Sequence, residues 1–190
     1  HKKIITIEDP VEYQLEGITQ VPVRPELDFD FAQGLRSFLR HDPDIIMVGE
    51  IRDSDTARIA IRAALTGHLV LATLHTNDAA GAITRLLDMG VEDYLLASTL
   101  KLVLAQRLVR KICPVCKEMA YERAVSENQL TNDEFSEIKH FKGKGCSECN
   151  QTGYQGRTGL YELLPVNETL QSLILKDVDN NKVNRLMQKS

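Results

Sequence analysis

Three short apolar runs predict buried strands in the first half of the chain. They cover Ile4–Ile7, Ile45–Val48 and Leu69–Ala72. Continuous apolar runs of this length, rich in β-branched residues, are typical of strands covered on both faces. Glu8-Asp9-Pro10 ends the first run, where proline removes a backbone donor, and Gly49-Glu50 closes the second.

Helical periodicity fills the intervals between these strands. We predict helices from Phe31 to about His41, from Asp53 or Ser54 to about Leu65, at about Ala79–Met89 and at about Tyr94–Leu108. A strand at Leu160–Leu164 and two short helical patterns complete the chain. Because strands and helices alternate, we expect an α/β fold with a largely parallel sheet.

Composition and charge narrow the class of protein. With 190 residues, 43% hydrophobic and 26% charged, the chain has ordinary globular composition and the length of one domain, or one domain plus a small module. Its net charge of −4 gives no basic footprint, so we expect no nucleic-acid partner. The longest apolar stretch, Tyr94–Val109, is interrupted by polar residues and is too short to cross a bilayer. The opening His1, with no Met before an apolar run, suggests a fragment of a longer protein.

The cysteines form two C-x-x-C pairs, Cys113 with Cys116 and Cys146 with Cys149, separated by a stretch of 29 residues. Two such knuckles supply the four thiolates of a structural Zn²⁺ site, which is the preferred interpretation. Two disulfides are the alternative. A redox C-x-x-C is disfavoured because two copies would be needed. A catalytic zinc is disfavoured because four thiolates leave no open position for water and no H-x-E motif accompanies them.

Polar residues at strand ends are the candidate chemical groups. In open α/β sheets ligands bind at the carboxyl ends of strands, and Glu8, Asp9, Glu50 and His75 all fall there. An acid at the end of a buried strand can hold Mg²⁺ or orient a water that attacks a phosphate. His75 also precedes a predicted helix N-terminus, whereas His68 precedes a strand and can simply cap it. Any one of these acids alone can equally be a solvated strand terminus.

Three arginines form a second group of candidate functional residues. A phosphate-binding loop, in contrast, is missing from the sequence. Arg36 and Arg40 share one helical face, and Arg52 lies two residues past Glu50. Arginines are usually solvated, but a guanidinium also neutralises a transferred phosphoryl group across a subunit interface. The sequence contains no G-x-x-x-x-G-K-[ST] motif, so no phosphate cradle of that type is encoded.

Together these segments resemble the secretion, or traffic, ATPases, which are the cytoplasmic motors of type II secretion and type IV pilus assembly. Residues 5–12, ITIEDPVE, resemble the Asp box of that family, and residues 40–53, RHDPDIIMVGEIRD, its atypical Walker B segment. Residues 66–77, TGHLVLATLHTN, resemble its His box. The tetracysteine set matches the secretion and pilus-extension branch, so extension or secretion is favoured over retraction.

The resemblance implies a RecA-like P-loop ATPase core, partial here because the Walker A strand and loop are absent, with a small zinc-binding insert and a helical C-terminal subdomain. The implied division is 1–109 for the core, 110–150 for the tetracysteine module and 151–190 for the C-terminal subdomain. The whole motor would be hexameric, cytoplasmic and associated with inner-membrane platform proteins. This chain alone would be inactive.

Residue roles follow from the same resemblance. Glu8 would be the general base on water, and Glu50 would hold Mg²⁺. His75 would contact the γ-phosphate of ATP, and Arg36 and Arg40 would act at or near the subunit interface. The remaining cofactor-binding candidates are Asp9, Glu12, Arg52 and His68. Arg157 matches a further family segment whose role the resemblance does not define.

Two other functional classes stay open. A zinc-knuckle adapter that only binds a partner protein accounts for the cysteines, but it leaves Glu8, Glu50 and His75 without a reason. A conjugation or DNA-transport ATPase of the same superfamily accounts for the acids, but it would not carry the tetracysteine insert.

Overall fold

The computed structural model describes residues 2–120, 140–176 and 179–187. The chain divides into two compact units, residues 1–105 with 162–190, and residues 106–161. These units differ from the three predicted segments because residues 162–190 belong to the first unit. The functional division into core, module and C-terminal subdomain stays a prediction.

The first unit contains a four-stranded parallel sheet with the strand order β2-β1-β3-β4. Its strands are β1 Ile4–Glu8, β2 Thr19–Pro22, β3 Ile45–Val48 and β4 Leu69–Ala72. The three predicted strands and the parallel α/β class are confirmed, but the expected burial of β4 is wrong, because its Leu69 and Leu71 are 54% and 51% exposed. The sequence analysis missed β2, which is short, ends in proline and lacks a buried residue.

Helices pack around this sheet, and most begin at an acidic cap. Asp30, Asp53 and Asp78 each accept a hydrogen bond from the backbone N–H three residues further along the chain. Leu35, Ile7 and Ile83 are wholly buried in the shared core. The helices of the first unit are α1 Phe31–Phe38, α2 Ser54–Leu65, α3 Ala79–Asp88, α4 Asp93–Thr99, α5 Glu168–Ile174 and α6 Asn180–Met187.

The predicted helix at Tyr94–Leu108 is wrong beyond Thr99. Helix α4 ends there, Leu100 is extended, and β5 covers Leu102–Ile112. Along β5, Val103 and Ala105 are half-buried while Leu102 and Leu104 are exposed, which is strand alternation. Pairing with β8, Tyr154–Pro165, favours the extended form. Periodicity within the segment cannot reveal a partner strand that lies far along the chain.

The second unit is entered along β5 and left along β8. It contains an antiparallel hairpin of β6 Lys117–Ala120 and β7 His140–Gly143, and a short 3₁₀ turn at Ser147–Cys149. The predicted polar insert lies largely in residues 121–139, outside the described residues. Within the described ranges, no helix is long and apolar enough to span a membrane.

Candidate functional site

The carboxyl edge of the parallel sheet brings together residues that are distant in sequence. Ile7 of β1 pairs with Val48 of β3, and Val48 pairs with Ala72 of β4, so the three strands end at the same level. The residues that follow them, Asp9, Glu50 and His75, therefore meet at this edge, as expected for parallel strands.

Glu50 is the centre of a charged network at this edge. Its Oε1 lies 2.7 Å from His75 Nε2, and its Oε2 accepts a hydrogen bond of 2.5 Å from Arg52 Nε. Arg52 also reaches Asp9, with 3.5 Å between Nη1 and Oδ2. The Glu50 side chain is only 13% exposed, whereas that of His75 is 88% exposed. The network thus has a buried carboxylate at its centre and an accessible imidazole at its rim.

Glu8 is held by neutral donors. Its Oε1 accepts hydrogen bonds from Thr6 Oγ1 at 2.5 Å and from Gln20 Nε2 at 2.9 Å. Thr6 lies two residues before Glu8 on the same face of β1 and is 3% exposed, while Gln20 comes from β2. Neither residue was identified from the sequence, although a buried threonine at this spacing is a usable signal. Two oriented donors fix the carboxylate without neutralising its charge.

Gly49 allows β1 and β3 to end so close together. A methyl group at this position would lie 3.0 Å from the Ile7 carbonyl oxygen and 3.2 Å from Glu8 Cα. The Gly49 N–H donates to the same Ile7 carbonyl at 2.7 Å. The close backbone packing beside Glu8 therefore favours glycine at this position.

Four other predicted site residues lie elsewhere. Arg36 pairs with Asp55 at 3.5 Å, and Arg40 donates to the Arg36 carbonyl. His68 contacts the Ala63 carbonyl at 2.9 Å at the end of α2, before β4 begins, and Glu12 is exposed in the loop after β1. None of the contacts found among the described residues joins them to the Glu50 network. Their proposed roles remain predictions, as does that of Arg157, which is exposed on β8.

The first turn of α3, which follows His75, is bound by two carboxylates of the protein. Asp78 Oδ1 accepts from Gly81 N at 2.7 Å, and Glu162 Oε2 accepts from Ala79 N at 2.8 Å. Glu162 was not identified from the sequence, although an acid within the apolar run Leu160–Leu164 is unusual for a strand. Two of the N–H groups with no partner inside the helix are thus already satisfied.

The four cysteines lie together in the second unit. Their sulfur atoms all fall within 4.8 Å of one another, with Sγ to Sγ distances of 3.9 Å for Cys113 and Cys146, 3.8 Å for Cys116 and Cys149, and 3.7 Å for Cys146 and Cys149. Four ligands at about 2.3 Å from a tetrahedral ion lie ~3.8 Å apart. These distances match that edge length and far exceed a disulfide bond, which overturns the disulfide alternative.

Backbone groups in the cluster favour the thiolate form of Cys149. Burial raises the pKa of the Cys149 thiol. The N–H groups of Cys146 and Gly153, 3.3 and 3.2 Å from its sulfur, and the side chains of Cys146 and Cys116 together outweigh burial and lower that pKa to about 6. Burial instead raises the pKa of Cys116 to about 11. Gly153 can lie against Gly143 because it lacks a side chain. A Cβ atom at position 153 would lie 2.5 Å from the Gly143 carbonyl oxygen. The donor set of soft sulfur ligands with N–H support fits a thiophilic metal ion.

Comparison with known proteins gives consistent matches over the whole chain. The family model described as type II/IV secretion system protein matches residues 1–190. The type II secretion system protein E of Pseudomonas aeruginosa is 52% identical over 185 residues, 97% of this chain and 37% of that protein. The type IV pilus assembly ATPase PilB of Myxococcus xanthus is 49% identical over 175 residues, 90% of this chain and 31% of that protein.

A solved structure agrees with these matches. The crystal structure of the pilus retraction motor PilT with bound ADP superposes with a TM-score of 0.68 at 32% identity, over 100% of this chain and 46% of that chain. The chain therefore spans less than half the length of each of these proteins.

Proposed function

Because the chain belongs to the type II/IV secretion system protein family, we propose that it is the C-terminal part of the ATPase domain of a secretion or pilus-assembly motor. The longer protein that would contain it is called the parent below. We propose that the parent is a RecA-like hexamer that couples ATP hydrolysis to assembly of a type II secretion pseudopilus or a type IV pilus. It would work in the cytoplasm against platform proteins of the inner membrane.

The observation that carries this proposal is the network around Glu50 at the carboxyl edge of the sheet. A mostly buried carboxylate at the end of a strand supplies the hard oxygen ligands that Mg²⁺ prefers, so the donor set fits the ion that accompanies ATP. When bound, Mg²⁺ would neutralise charge on the nucleotide phosphates. Glu50 would hold it, and Asp9 and Arg52 would keep Glu50 in place.

Both Glu50 oxygens contact protein side chains, those of Arg52 and His75, which suggests how the site would respond to nucleotide. Arg52 is tied to both Asp9 and Glu50, whereas His75 has the more exposed side chain. A phosphate at this edge would compete with Glu50 for His75. Transfer of the imidazole from Glu50 to the γ-phosphate would then leave one Glu50 oxygen for the metal.

Glu8 is the best candidate for the group that orients the attacking water. Thr6 and Gln20 fix one of its oxygens, and no cation is among its contacts in the described part of the chain. A carboxylate in this position can orient a water and accept its proton. We therefore assign the general-base role to Glu8.

We further propose that Cys113, Cys116, Cys146 and Cys149 hold a structural Zn²⁺. The sulfur distances support tetrahedral coordination, and four protein ligands would close the site to substrate. The ion would supply folding energy to the second unit. Such a module favours the secretion and pilus-extension branch.

Steady-state ATP turnover of the parent tests the proposal. Glu50→Ala should abolish most Mg²⁺-dependent hydrolysis. Glu118→Ala is the matched control, because Glu118 is an exposed glutamate on β6 whose partner, Lys142, lies 3.9 Å away. The proposal fails if the parent does not hydrolyse ATP, or if the two variants turn over equally.

A further inference from the structure

Glu162 occupies an unusual position on β8. It is half-buried and lies two residues before Leu164, which is 5% exposed, whereas its neighbours Tyr161 and Leu163 are 62% and 58% exposed. Glu162 therefore lies on the inward face of the strand. A carboxylate on an inward face is costly unless it finds a donor.

That donor is the first backbone N–H of helix α3. Ala79 N donates to Glu162 Oε2 at 2.8 Å, and Ala79 is wholly buried. This N–H has no partner within its own helix, and a negative charge at a helix N-terminus is favoured by the helix dipole. The contact joins residues 83 positions apart, so it fixes the start of α3 to another part of the unit.

The same contact limits where His75 can lie. The segment 73–78 connects β4 to α3. At its start, Thr73 accepts from Ile51 N at 3.0 Å and donates its hydroxyl to the Gly49 carbonyl at 2.5 Å. At its end, the segment is held through Ala79 by Glu162. The imidazole is largely exposed, and its contact with Glu50 lies on the segment between these two anchors.

We propose that Glu162 is a positioning residue for His75, acting by fixing the start of α3 through the Ala79 N–H. This role rests on the proposed function of the Glu50 network. Glu162 does not contact the network itself. Loss of the Glu162 carboxylate would leave Glu50 and Arg52 unchanged, while segment 73–78, which carries His75, would gain conformational freedom.

Turnover of the parent gives the first test. Glu162→Ala should lower kcat about tenfold, because a small displacement of a contacting group costs this much or more. Glu162→Gln keeps an oxygen that accepts from Ala79 N and should restore most of the rate. Asn167→Ala is the matched control: it removes a similar cap, in which Asn167 Oδ1 accepts from Leu170 N at 3.0 Å, and should leave kcat unchanged.

A double mutant separates positioning from general destabilisation. If Glu162 acts through His75, Glu162→Ala should lower kcat no further in a His75→Ala background, since the two residues form one pathway. Equal losses in both backgrounds would overturn the proposal. So would equal effects of Glu162→Ala and Asn167→Ala on kcat.

Hydrogen exchange of the parent provides a readout that does not need hydrolysis. Amides of segment 73–81 should exchange about tenfold faster in Glu162→Ala, as expected for loss of one charge-assisted hydrogen bond, while those of β1 and β3 stay protected. Unchanged exchange in 73–81 would overturn the positioning role by itself. A parent that shows faster exchange but no ATP hydrolysis in any form would instead overturn the proposed function.

Discussion

Packing of α1 against β1 makes Gly34→Ala an informative perturbation. Gly34 lies inside α1 and faces Ile7, the residue before Glu8. A methyl group at Gly34 would lie 2.0 Å from Ile7 Cδ1, 3.3 Å from Ile7 Cγ1 and 3.4 Å from Phe29 Cζ. Since Ile7 is wholly buried, its terminal carbon has little room to move.

Two opposing effects set the magnitude. Alanine is favoured over glycine within a helix by about 1 kcal/mol. Overpacking of a filled core costs about 1–3 kcal/mol. We therefore expect Gly34→Ala to lower the free energy of unfolding by about 1 kcal/mol, although the same substitution stabilises most helices.

Ile7→Val is the matched background because it removes the clashing Cδ1 carbon. Alone it should cost about 0.5–1.5 kcal/mol. In that background Gly34→Ala should become stabilising by up to about 1 kcal/mol, since the helix preference is then opposed only by the contacts at 3.3 and 3.4 Å. Urea unfolding followed by far-ultraviolet circular dichroism measures all four proteins. The packing argument is refuted if Gly34→Ala stabilises the unaltered chain, or has the same effect in both backgrounds.

Two further predictions concern ligands. Metal analysis should find one Zn²⁺ per chain, lost on Cys149→Ser but kept on Ser147→Ala, an exposed neighbour; free thiols or disulfides with well under one zinc would contradict the site. The 190-residue chain by itself should show no micromolar ATP binding and no hydrolysis, because most phosphate affinity in P-loop enzymes comes from a cradle that its sequence does not encode. Calorimetry that detects micromolar binding would point to a different nucleotide site.

Local patterns were sufficient to predict three of the four strands of the sheet and the edge at which they end. The runs that form β1, β3 and β4 are apolar. Pro10 and Gly49 follow the first two runs and Gly67 precedes the third, so the sequence indicates where these strands end or begin. Parallel pairing then follows from the alternation with helices. The meeting of Asp9, Glu50 and His75 was predictable because parallel strands end at one edge.

Contacts that depend on distant partners were not predictable. Strand β2 carries no buried residue, and it forms because β1 offers a free edge. The sequence of β5 has helical periodicity, and only its pairing with β8 shows that it is a strand. Gln20 and Glu162 are ordinary polar residues in the sequence, and only the fold shows that one holds Glu8 and the other holds α3.

The division of labour between Glu8 and Glu50 is the central claim, and paired measurement of ATP binding and turnover in the parent tests it most directly. Glu8→Gln keeps the size of the side chain and its acceptor oxygen but removes the base. It should therefore bind ATP with Mg²⁺ while turnover falls by roughly 10²-fold or more. Glu50→Gln removes a charge that would hold the metal, so it should weaken Mg²⁺-dependent binding as well as turnover. Hydrolysis near the parental rate in Glu8→Gln, or an exchange of the two phenotypes, would contradict the account.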